Sequence, residues 1–279
     1  MPTSFSASDI QAFRPTMKIG LLGTVNDQGL PHLTLIASLQ ASGPTQVVWG
    51  QFTEGLSKQH VRRNPKTGFL IMTLDKALWR GRADFTHTAQ QGPEYDMYNN
   101  TPMFRYNAYF GIHTVYYMDL LEQTGRQDLP MAQVVWSAIR TMLARALARE
   151  KGDKAVLNPW TRQFLNGLSN LKFLAYVRPD GYPHIIPTIQ AQAAGSERVV
   201  LALSPYREEL RAIPAGAAVA LFAMSLDMET VLMRGVFQGI RRIGGVQCGT
   251  IAVNWVYNSM PPKPQQIYPE VEIERVTTF

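Results

Sequence analysis

The sequence predicts a mainly β protein with helices, in which two six-stranded antiparallel barrels are joined by a helical linker. Three observations lead to this fold class. Short apolar runs bounded by turn residues recur along most of the chain, as is typical of β-sheet proteins. One eight-residue pattern occurs twice, near the start of each half. A single long stretch with helical periodicity separates the two halves.

The repeated pattern is V-x-x-x-G-x-P-H, found at Val25–His32 and at Val177–His184, 152 positions apart. The same offset relates further identical residues, among them Gln40 and Gln192, Ala41 and Ala193, Gly43 and Gly195, Met72 and Met224, and Asp75 and Asp227. After a two-residue shift, Arg80-Gly81 matches Arg234-Gly235. A constant offset of this extent predicts two copies of one domain. The predicted boundaries are 1–125 for the first barrel, 126–170 for the helical linker and 171–279 for the second barrel.

Each predicted copy contains six strands and one short helix. In the first copy the strands fall at residues 18–25, 30–41, 45–52, 67–75, 77–88 and 108–122, and the helix over 56–65 is stopped by Asn64-Pro65. In the second copy they fall at 172–179, 182–193, 197–203, 217–224, 230–243 and 249–258, with a helix over 206–213. Six such strands predict closure into a barrel, because closure removes exposed sheet edges.

The linker is predicted to be an amphipathic helix over residues 131–150. Val135, Ile139, Met142 and Ala146 lie on one face at helical spacing. We therefore expect that face to pack on the barrels.

Composition limits the classes of function. Cys248 is the only cysteine, which excludes an internal disulfide and favours a reducing, cytoplasmic location. The chain shows no secretory signal pattern and no run of about 18 apolar residues, so we expect no membrane partner. The formal net charge is +6, but the basic residues are scattered, and we expect no nucleic acid partner. The densest basic stretch, residues 58–66, is either a solvated helix face or a phosphate site.

Motifs of common catalytic chemistry are absent from the sequence. It contains no H-E-x-x-H, no G-x-S-x-G, no P-loop and no G-x-G-x-x-G, and its five histidines lack paired metal spacing. We therefore predict no metal site. His32 and His184 recur at equivalent positions, which favours placement by the fold over a catalytic role. The sequence assigns no catalytic residue.

The start of the first-copy helix carries the clearest binding signal. Ser57 is a plausible N-cap, Lys58 stands beside it, and Arg62 follows one helical turn later. Exposed N–H groups, a hydroxyl and a basic side chain at a helix start together bind anions, and phosphate suits them well. The sequence therefore predicts a phosphate site here.

Three segments in order resemble a known family. They are T-x-x-x-x-G-x-P-H at Thr24–His32, an apolar strand through Trp49, and S-K-x-x-x-x-R-N-P at Ser57–Pro65. Their order and spacing resemble the FMN-binding split-barrel family related to pyridoxamine 5'-phosphate oxidase. The resemblance covers most of residues 17–122 and, more loosely, residues 171–257. It implies that both six-stranded antiparallel barrels are split barrels.

The resemblance also implies FMN as cofactor and a set of binding residues. Trp49, Gln51 and Thr53 would contact the flavin ring or ribityl chain. Ser57 and Lys58 would hold the phosphate, with Arg62 in the same helix, and Arg80 would approach the same ligand. The family usually forms dimers with the flavin between two barrels. This chain carries both barrels, which predicts a pseudo-dimer within one chain and leaves a further homodimer open.

The two copies differ chemically at the predicted phosphate site. At the 152 offset, Ser57-Lys58 becomes Glu209-Leu210 and Arg62 becomes Pro214. A carboxylate repels phosphate, so we expect the second copy to be degenerate. This predicts one flavin site per chain, built mainly by the first copy and walled by the second.

The first copy also has an insertion at residues 90–113 that the second lacks. Long insertions often act as lids over binding sites. The residues assigned to substrate or lid contacts are Tyr98, Arg105, Tyr106 and Tyr109. The alternative is that these aromatic rings only cover the end of the barrel.

Three functions remain open from the sequence. The first is an FMN-dependent oxidoreductase that acts on an unknown small-molecule substrate and takes electrons from a donor such as NAD(P)H. The second is a non-catalytic carrier of flavin, haem or a deazaflavin. The third is a dimerisation module with a vestigial pocket.

Overall fold

The computed structural model describes residues 1–105, 111–149, 154–259 and 264–272. The chain divides into two compact units, Met1–Leu129 with Val177–Ile185, and Pro130–Tyr176 with Ile186–Phe279. Over the described residues the protein is mainly β with few helices, and the strands form two antiparallel sheets of eight strands each. This architecture is consistent with two split-barrel domains and confirms the predicted fold class. No helix in the described ranges is long and apolar enough to cross a membrane.

The first sheet has the strand order β2-β1-β5-β6-β7-β4-β3, and β8 pairs with β6. Its strands are β1 Ile19–Val25, β2 Pro31–Leu35, β3 Gln40–Gly43, β4 Gln46–Gln51, β5 Lys66–Met72, β6 Ala77–Ala89, β7 Thr114–Gln123 and β8 Gln127–Asp128. The helices that precede or interrupt it are α1 Ala7–Phe13, α2 Leu56–Arg63, α3 Pro93–Asn100 and α4 Pro102–Arg105.

The second sheet has the order β10-β9-β13-β14-β15-β12-β11, and β16 pairs with β15. Its strands are β9 Leu171–Val177, β10 Pro183–Pro187, β11 Gln192–Ala193, β12 Arg198–Ala202, β13 Ala218–Met224, β14 Thr230–Ile243, β15 Val246–Asn258 and β16 Gln265–Tyr268. The helices of this half are α5 Met131–Ala148, α6 Pro159–Asn166 and α7 Arg207–Arg211.

Each sheet has two strands more than the six predicted, partly because one long predicted strand breaks in two. In the first unit a turn separates β2 from β3, where Ile36 N donates to the Gly20 carbonyl and Leu39 N donates to the Ile36 carbonyl. A Cβ atom on Gly20 would stand 2.4 Å from the Ile36 carbonyl oxygen, so this close approach requires glycine. The short pairings of β8 and β16 supply the remaining strands.

The same turn separates β10 from β11 at an offset of 152. Thr188 N donates to the Lys172 carbonyl, and Ala191 N donates to the Thr188 carbonyl. A side chain inside each turn also donates a hydrogen bond to a nearby strand. Ser38 Oγ donates to the Gly50 carbonyl in β4, and Gln190 Nε2 donates to the Ala202 carbonyl in β12. The repeated pattern therefore corresponds to repeated backbone geometry.

Strand register follows the same offset and corrects one sequence match. Leu70 pairs with Arg80 in the first sheet, and Phe222 pairs with Leu232 in the second. The counterpart of Arg80 is therefore Leu232, and the two-residue shift that matched it to Arg234 was wrong. Arg234 instead stacks over the Trp255 ring, 3.7 Å from its centroid.

The outer faces of the two sheets are covered differently. In β4, Val47 and Trp49 point into the core of the first unit, whereas Val48 points to the other face and packs beneath α3 and α4 with Tyr98 and Phe104. In the second unit β14 and β15 are joined directly through Gly244 and Gly245, both with positive φ. There α5 covers the face that α3 and α4 cover in the first unit, through contacts of Ala144 and Ala148 with Val200, Ala202 and Cys248.

The packing face of α5 was predicted wrongly. Its buried residues are Val134, Ser137, Thr141, Ala144 and Ala148, whereas Val135, Ile139 and Met142 are exposed. The small and polar face packs because it permits close approach and because Thr141 Oγ1 accepts a hydrogen bond from Ala202 N at 3.0 Å. The larger apolar side chains of the helix therefore face outward.

Candidate functional site

The candidate site lies where β4 leads into α2. The helix begins at Leu56, and its N-cap residue is Gly55, whose φ of 178° is an extended conformation. Ser57, predicted as the N-cap, is instead the second residue of the helix. The Lys58 N–H donates to the Gly55 carbonyl at 3.2 Å, so the first-turn N–H groups without an intrahelical acceptor are those of Leu56 and Ser57. The sequence misplaced the cap because serine is the commoner N-cap residue. The local geometry still presents helix N–H groups beside Ser57 and Lys58.

Ser57 is fully buried, and its hydroxyl has no hydrogen-bond partner among the described residues. Buried hydroxyl groups nearly always have a hydrogen-bond partner, since burying a hydroxyl without one costs about 1–3 kcal/mol. An unpaired hydroxyl at a helix start is therefore a group that a ligand could satisfy.

Lys58 folds back over the start of its own helix. Its side chain is only 6% exposed, and its Nζ atom lies 3.6 Å from the position that a Cβ atom on Gly55 would occupy. Burial lowers the pKa of the Lys58 amine to about 8, although the nearby Glu54 carboxylate opposes this shift. At neutral pH the Lys58 amine is therefore charged in most molecules although it is largely desolvated, and a bound anion would compensate its charge.

A chain of hydrogen bonds runs beside this helix start. Arg62 Nη2 donates to the Tyr116 hydroxyl at 3.1 Å, and that hydroxyl donates to Gln51 Oε1 at 2.9 Å. Gln51 Nε2 then donates to Glu54 Oε1 at 2.6 Å. Burial raises the pKa of Tyr116, so its hydroxyl stays protonated. The structure therefore brings Gln51, Arg62, Ser57 and Lys58 to one region.

The other three residues predicted to bind the cofactor are Trp49, Thr53 and Arg80, and they do not take part in this chain of hydrogen bonds. Trp49 is fully buried and stacks on Tyr116, with 3.9 Å between ring centroids and 9° between planes. Thr53 is exposed in the loop before α2. Arg80 donates to the Ile185 carbonyl at 3.2 Å and to Gln127 Oε1 at 3.1 Å, and both partners lie in the first unit.

Two histidines, His60 in α2 and His32 in β2, link the helix to the sheet, and the sequence did not indicate this contact. His60 Nδ1 lies 3.0 Å from Thr24 Oγ1, and the His60 ring stands perpendicular to the His32 ring at 5.1 Å between centroids. Thr24 and His32 are direct partners across β1 and β2. Thr24 and the His32 of the repeated pattern therefore support α2 through His60, and the position of His32 in that pattern was the signal that could have indicated this.

Among the residues predicted for substrate or lid contacts, the structure describes the side chain of Tyr98, which packs against Val48 and Phe104. Tyr98 is fully buried, and its hydroxyl donates to the Ser38 carbonyl at 2.7 Å. Burial raises the Tyr98 pKa well above its usual range. Arg105 ends α4, but its side chain lies outside the described residues, as do Tyr106 and Tyr109.

The second unit lacks a comparable helix start. α7 has five residues where α2 has eight. Leu210, which corresponds to Lys58, is fully buried in the apolar core. In the described ranges no group of three or more His, Cys, Asp or Glu side chains could hold a metal ion.

Comparison with known proteins gives only distant structural similarities. No protein-family model matches the chain, and no curated protein sequence is similar to it. An FMN-binding protein from Syntrophomonas wolfei subsp. wolfei shares 14% identity and a TM-score of 0.37, over 43% of this chain and 84% of that one. A putative pyridoxamine 5'-phosphate oxidase from Lactobacillus delbrueckii shares 14% identity and a TM-score of 0.36, over 44% of this chain and 96% of that one. An FAD-binding protein from Mesorhizobium loti shares 13% identity and a TM-score of 0.31, over 44% of this chain and 93% of that one. Similarities of this size do not establish a shared function.

Proposed function

We propose that the chain binds FMN with its phosphate at the start of α2 and acts as a flavin-dependent oxidoreductase on a small-molecule substrate. One observation carries the proposal: in the first turn of α2, Lys58 is only 6% exposed, and the fully buried Ser57 hydroxyl beside it has no hydrogen-bond partner among the described residues. The S-K-x-x-x-x-R-N-P resemblance at Ser57–Pro65 supports the choice of ligand.

The donor set fits a phosphate group. Ser57 offers a hydroxyl, Lys58 a cationic amine and the first turn its backbone N–H groups, and phosphate accepts all three. Arg62 adds a second cation one turn away and is held by Tyr116. The Glu54 carboxylate is the opposing charge, but its Oε1 atom is engaged by Gln51.

The residues proposed for the rest of the flavin are fewer than the sequence implied. Gln51 and Thr53 lie on the segment that precedes α2 and would contact the ribityl chain or ring. Trp49 stays in the core, where it positions Tyr116 for the hydrogen bond to Gln51. A bound FMN would supply the redox chemistry, and these side chains would bind and orient it.

We also propose that the two sheets are copies of one domain and that only the first retains the site. Matching strand order, register and turns at one offset support the copying. Leu210 and Glu209 in place of Lys58 and Ser57 support a stoichiometry of one FMN per chain.

The test is a fluorescence titration of FMN with the full chain. We expect one site per chain, and we expect Lys58→Ala to weaken binding about tenfold or more, since hydrogen bonds to charged groups contribute about 1.5–3 kcal/mol. Ser57→Ala should weaken it less. Gln59→Ala is the matched control, because Gln59 is exposed on the same helix and lies outside the fixed positions of the motif. Equal FMN affinity in Lys58→Ala and in the unmodified chain would refute the proposed site.

A second measurement separates an enzyme from a carrier. The FMN-loaded protein is mixed with NADH or NADPH without oxygen, and the flavin absorbance is followed. Bleaching faster than that of free FMN supports the oxidoreductase. Tight binding without bleaching by either donor supports the flavin carrier instead.

A further inference from the structure

A second charged pocket lies in the other unit. Its volume is about 400 Å³, and it is formed by the C-terminal part of α5, by α6 and by the chain from β11 to Gly195. Its polar side chains are Arg145, Arg149, Arg162 and Asn166. None of its lining residues belongs to α7, so it does not correspond to the site at α2.

The three arginines have no acidic partner in the described part of the chain. No carboxylate of the described residues lines the pocket, and no described hydrogen bond or ion pair involves these guanidinium groups. Arg162 Nε is buried without a hydrogen-bond partner among the described residues. Three cations around one concavity repel one another, so the pocket is electrostatically incomplete without an anion.

Helix capping does not account for this cluster. α5 ends at Ala148, and the Ala148 carbonyl already accepts a hydrogen bond from Arg198 Nη1 at 3.3 Å. Asn166 Oδ1 accepts from Ala193 N at 3.0 Å, which fixes the amide group and leaves its Nδ2 donors available. Each polar side chain of the pocket therefore has donors that the described protein does not use.

We propose that this pocket binds a small phosphate-bearing anion with at least two negative charges. Guanidinium groups match phosphate oxygens with paired hydrogen bonds, and a pocket of this volume holds a small ligand. Free phosphorylated metabolites and phosphorylated lipid headgroups share this chemistry. The proposal is independent of flavin binding, because it uses a different unit and different residues.

The test is calorimetric titration of inorganic pyrophosphate into the full chain carrying Lys58→Ala, so that α2 does not contribute. We expect saturable binding that Arg145→Gln and Arg162→Gln each weaken about tenfold or more. Arg140→Gln is the control, since Arg140 lies on α5 but outside the pocket lining. It should change the affinity by less than about twofold. If Arg162→Gln does not fold, Arg145→Gln decides alone.

A second arm distinguishes the source of the phosphate. The same variants are sedimented with vesicles that contain phosphatidic acid and with vesicles of phosphatidylcholine alone. Binding to pyrophosphate indicates a soluble ligand, and Arg145-dependent binding to phosphatidic acid alone indicates a lipid headgroup. The proposal is overturned if neither probe binds, or if Arg140→Gln weakens binding as much as Arg145→Gln and Arg162→Gln do.

Discussion

Replacing Lys58 with methionine is expected to stabilise the ligand-free protein. The lysine is 6% exposed, and burial lowers its pKa from 10.5 to about 8. A change of this size corresponds to about 3 kcal/mol against the charged amine. Because that figure is an upper limit for a site that retains some water, we expect a gain of about 1–2 kcal/mol at pH 7. Methionine preserves the length and apolar contacts of the side chain.

The gain should depend on pH in a defined direction. The folded-state pKa of Lys58 lies below its unfolded value, so between about pH 8 and pH 10.5 the unfolded chain binds more protons at this position. The stability of the unmodified protein therefore rises with pH over that window, and the advantage of Lys58→Met shrinks. Lys18 and Lys172, whose pKa values burial also lowers to about 8, are present in both proteins, so their titration cancels in the difference.

Urea unfolding at pH 7 and at pH 10 measures the stability gain of Lys58→Met and its pH dependence. An FMN titration at pH 7 measures the change in affinity. Gln59→Met is the control, since Gln59 is exposed on the same helix and its replacement should change stability by no more than about 0.5 kcal/mol. The expected signature is a more stable Lys58→Met protein with FMN binding lost. A variant that is instead less stable by more than about 1 kcal/mol at pH 7 would refute the reasoning, because the amine would then make stabilising contacts.

Three further predictions concern the fold, and each is measured by urea unfolding. Gly20→Ala should destabilise the protein by about 2–4 kcal/mol, because its Cβ would meet the Ile36 carbonyl at 2.4 Å; a loss under 1 kcal/mol would contradict this. Tyr98→Phe removes the bond to the Ser38 carbonyl and should cost about 1 kcal/mol without changing FMN affinity; weaker FMN binding would instead support the lid. Thr141→Val leaves a buried β12 amide unpaired and should cost about 1–3 kcal/mol, whereas a neutral effect would show that the bond is dispensable.

The sequence predicted the repeated backbone well because its signal was local. The spacing of Val25, Gly29 and His32 defines a turn, and the backbone hydrogen bonds of that turn recur at the offset read from the sequence. The break between β2 and β3 was not predictable in the same way. Residues 36–39 contain neither glycine nor proline, and the turn depends on Gly20 of the neighbouring strand, which leaves room for the Ile36 carbonyl.

The orientation of α5 was not predictable from hydrophobic periodicity. That pattern assumes that the larger apolar face packs inward. Here the surface under the helix contains polar groups that bond to the helix: Gln192 Nε2 donates to the Ala138 carbonyl, and the Ala202 amide donates to Thr141 Oγ1. Tertiary hydrogen bonding and close approach of small side chains therefore determined the buried face. The arginine pocket of the second unit was not predictable from the sequence for a related reason. Arg145 and Arg162 lie on different helices, α5 and α6, and line one pocket only because of the tertiary fold.

The contrast between Lys58 and Leu210 gives the strongest internal argument for a ligand. Both residues follow the corresponding strand of their sheet and lie in the corresponding short helix, and both are buried. Leucine fills this position with apolar contacts alone. Lysine in the same place carries the desolvation reflected in its lowered pKa and leaves its neighbour Ser57 without a described partner. The fold therefore does not require a cation at this position, and the proposed anion at the start of α2 would satisfy both Lys58 and Ser57.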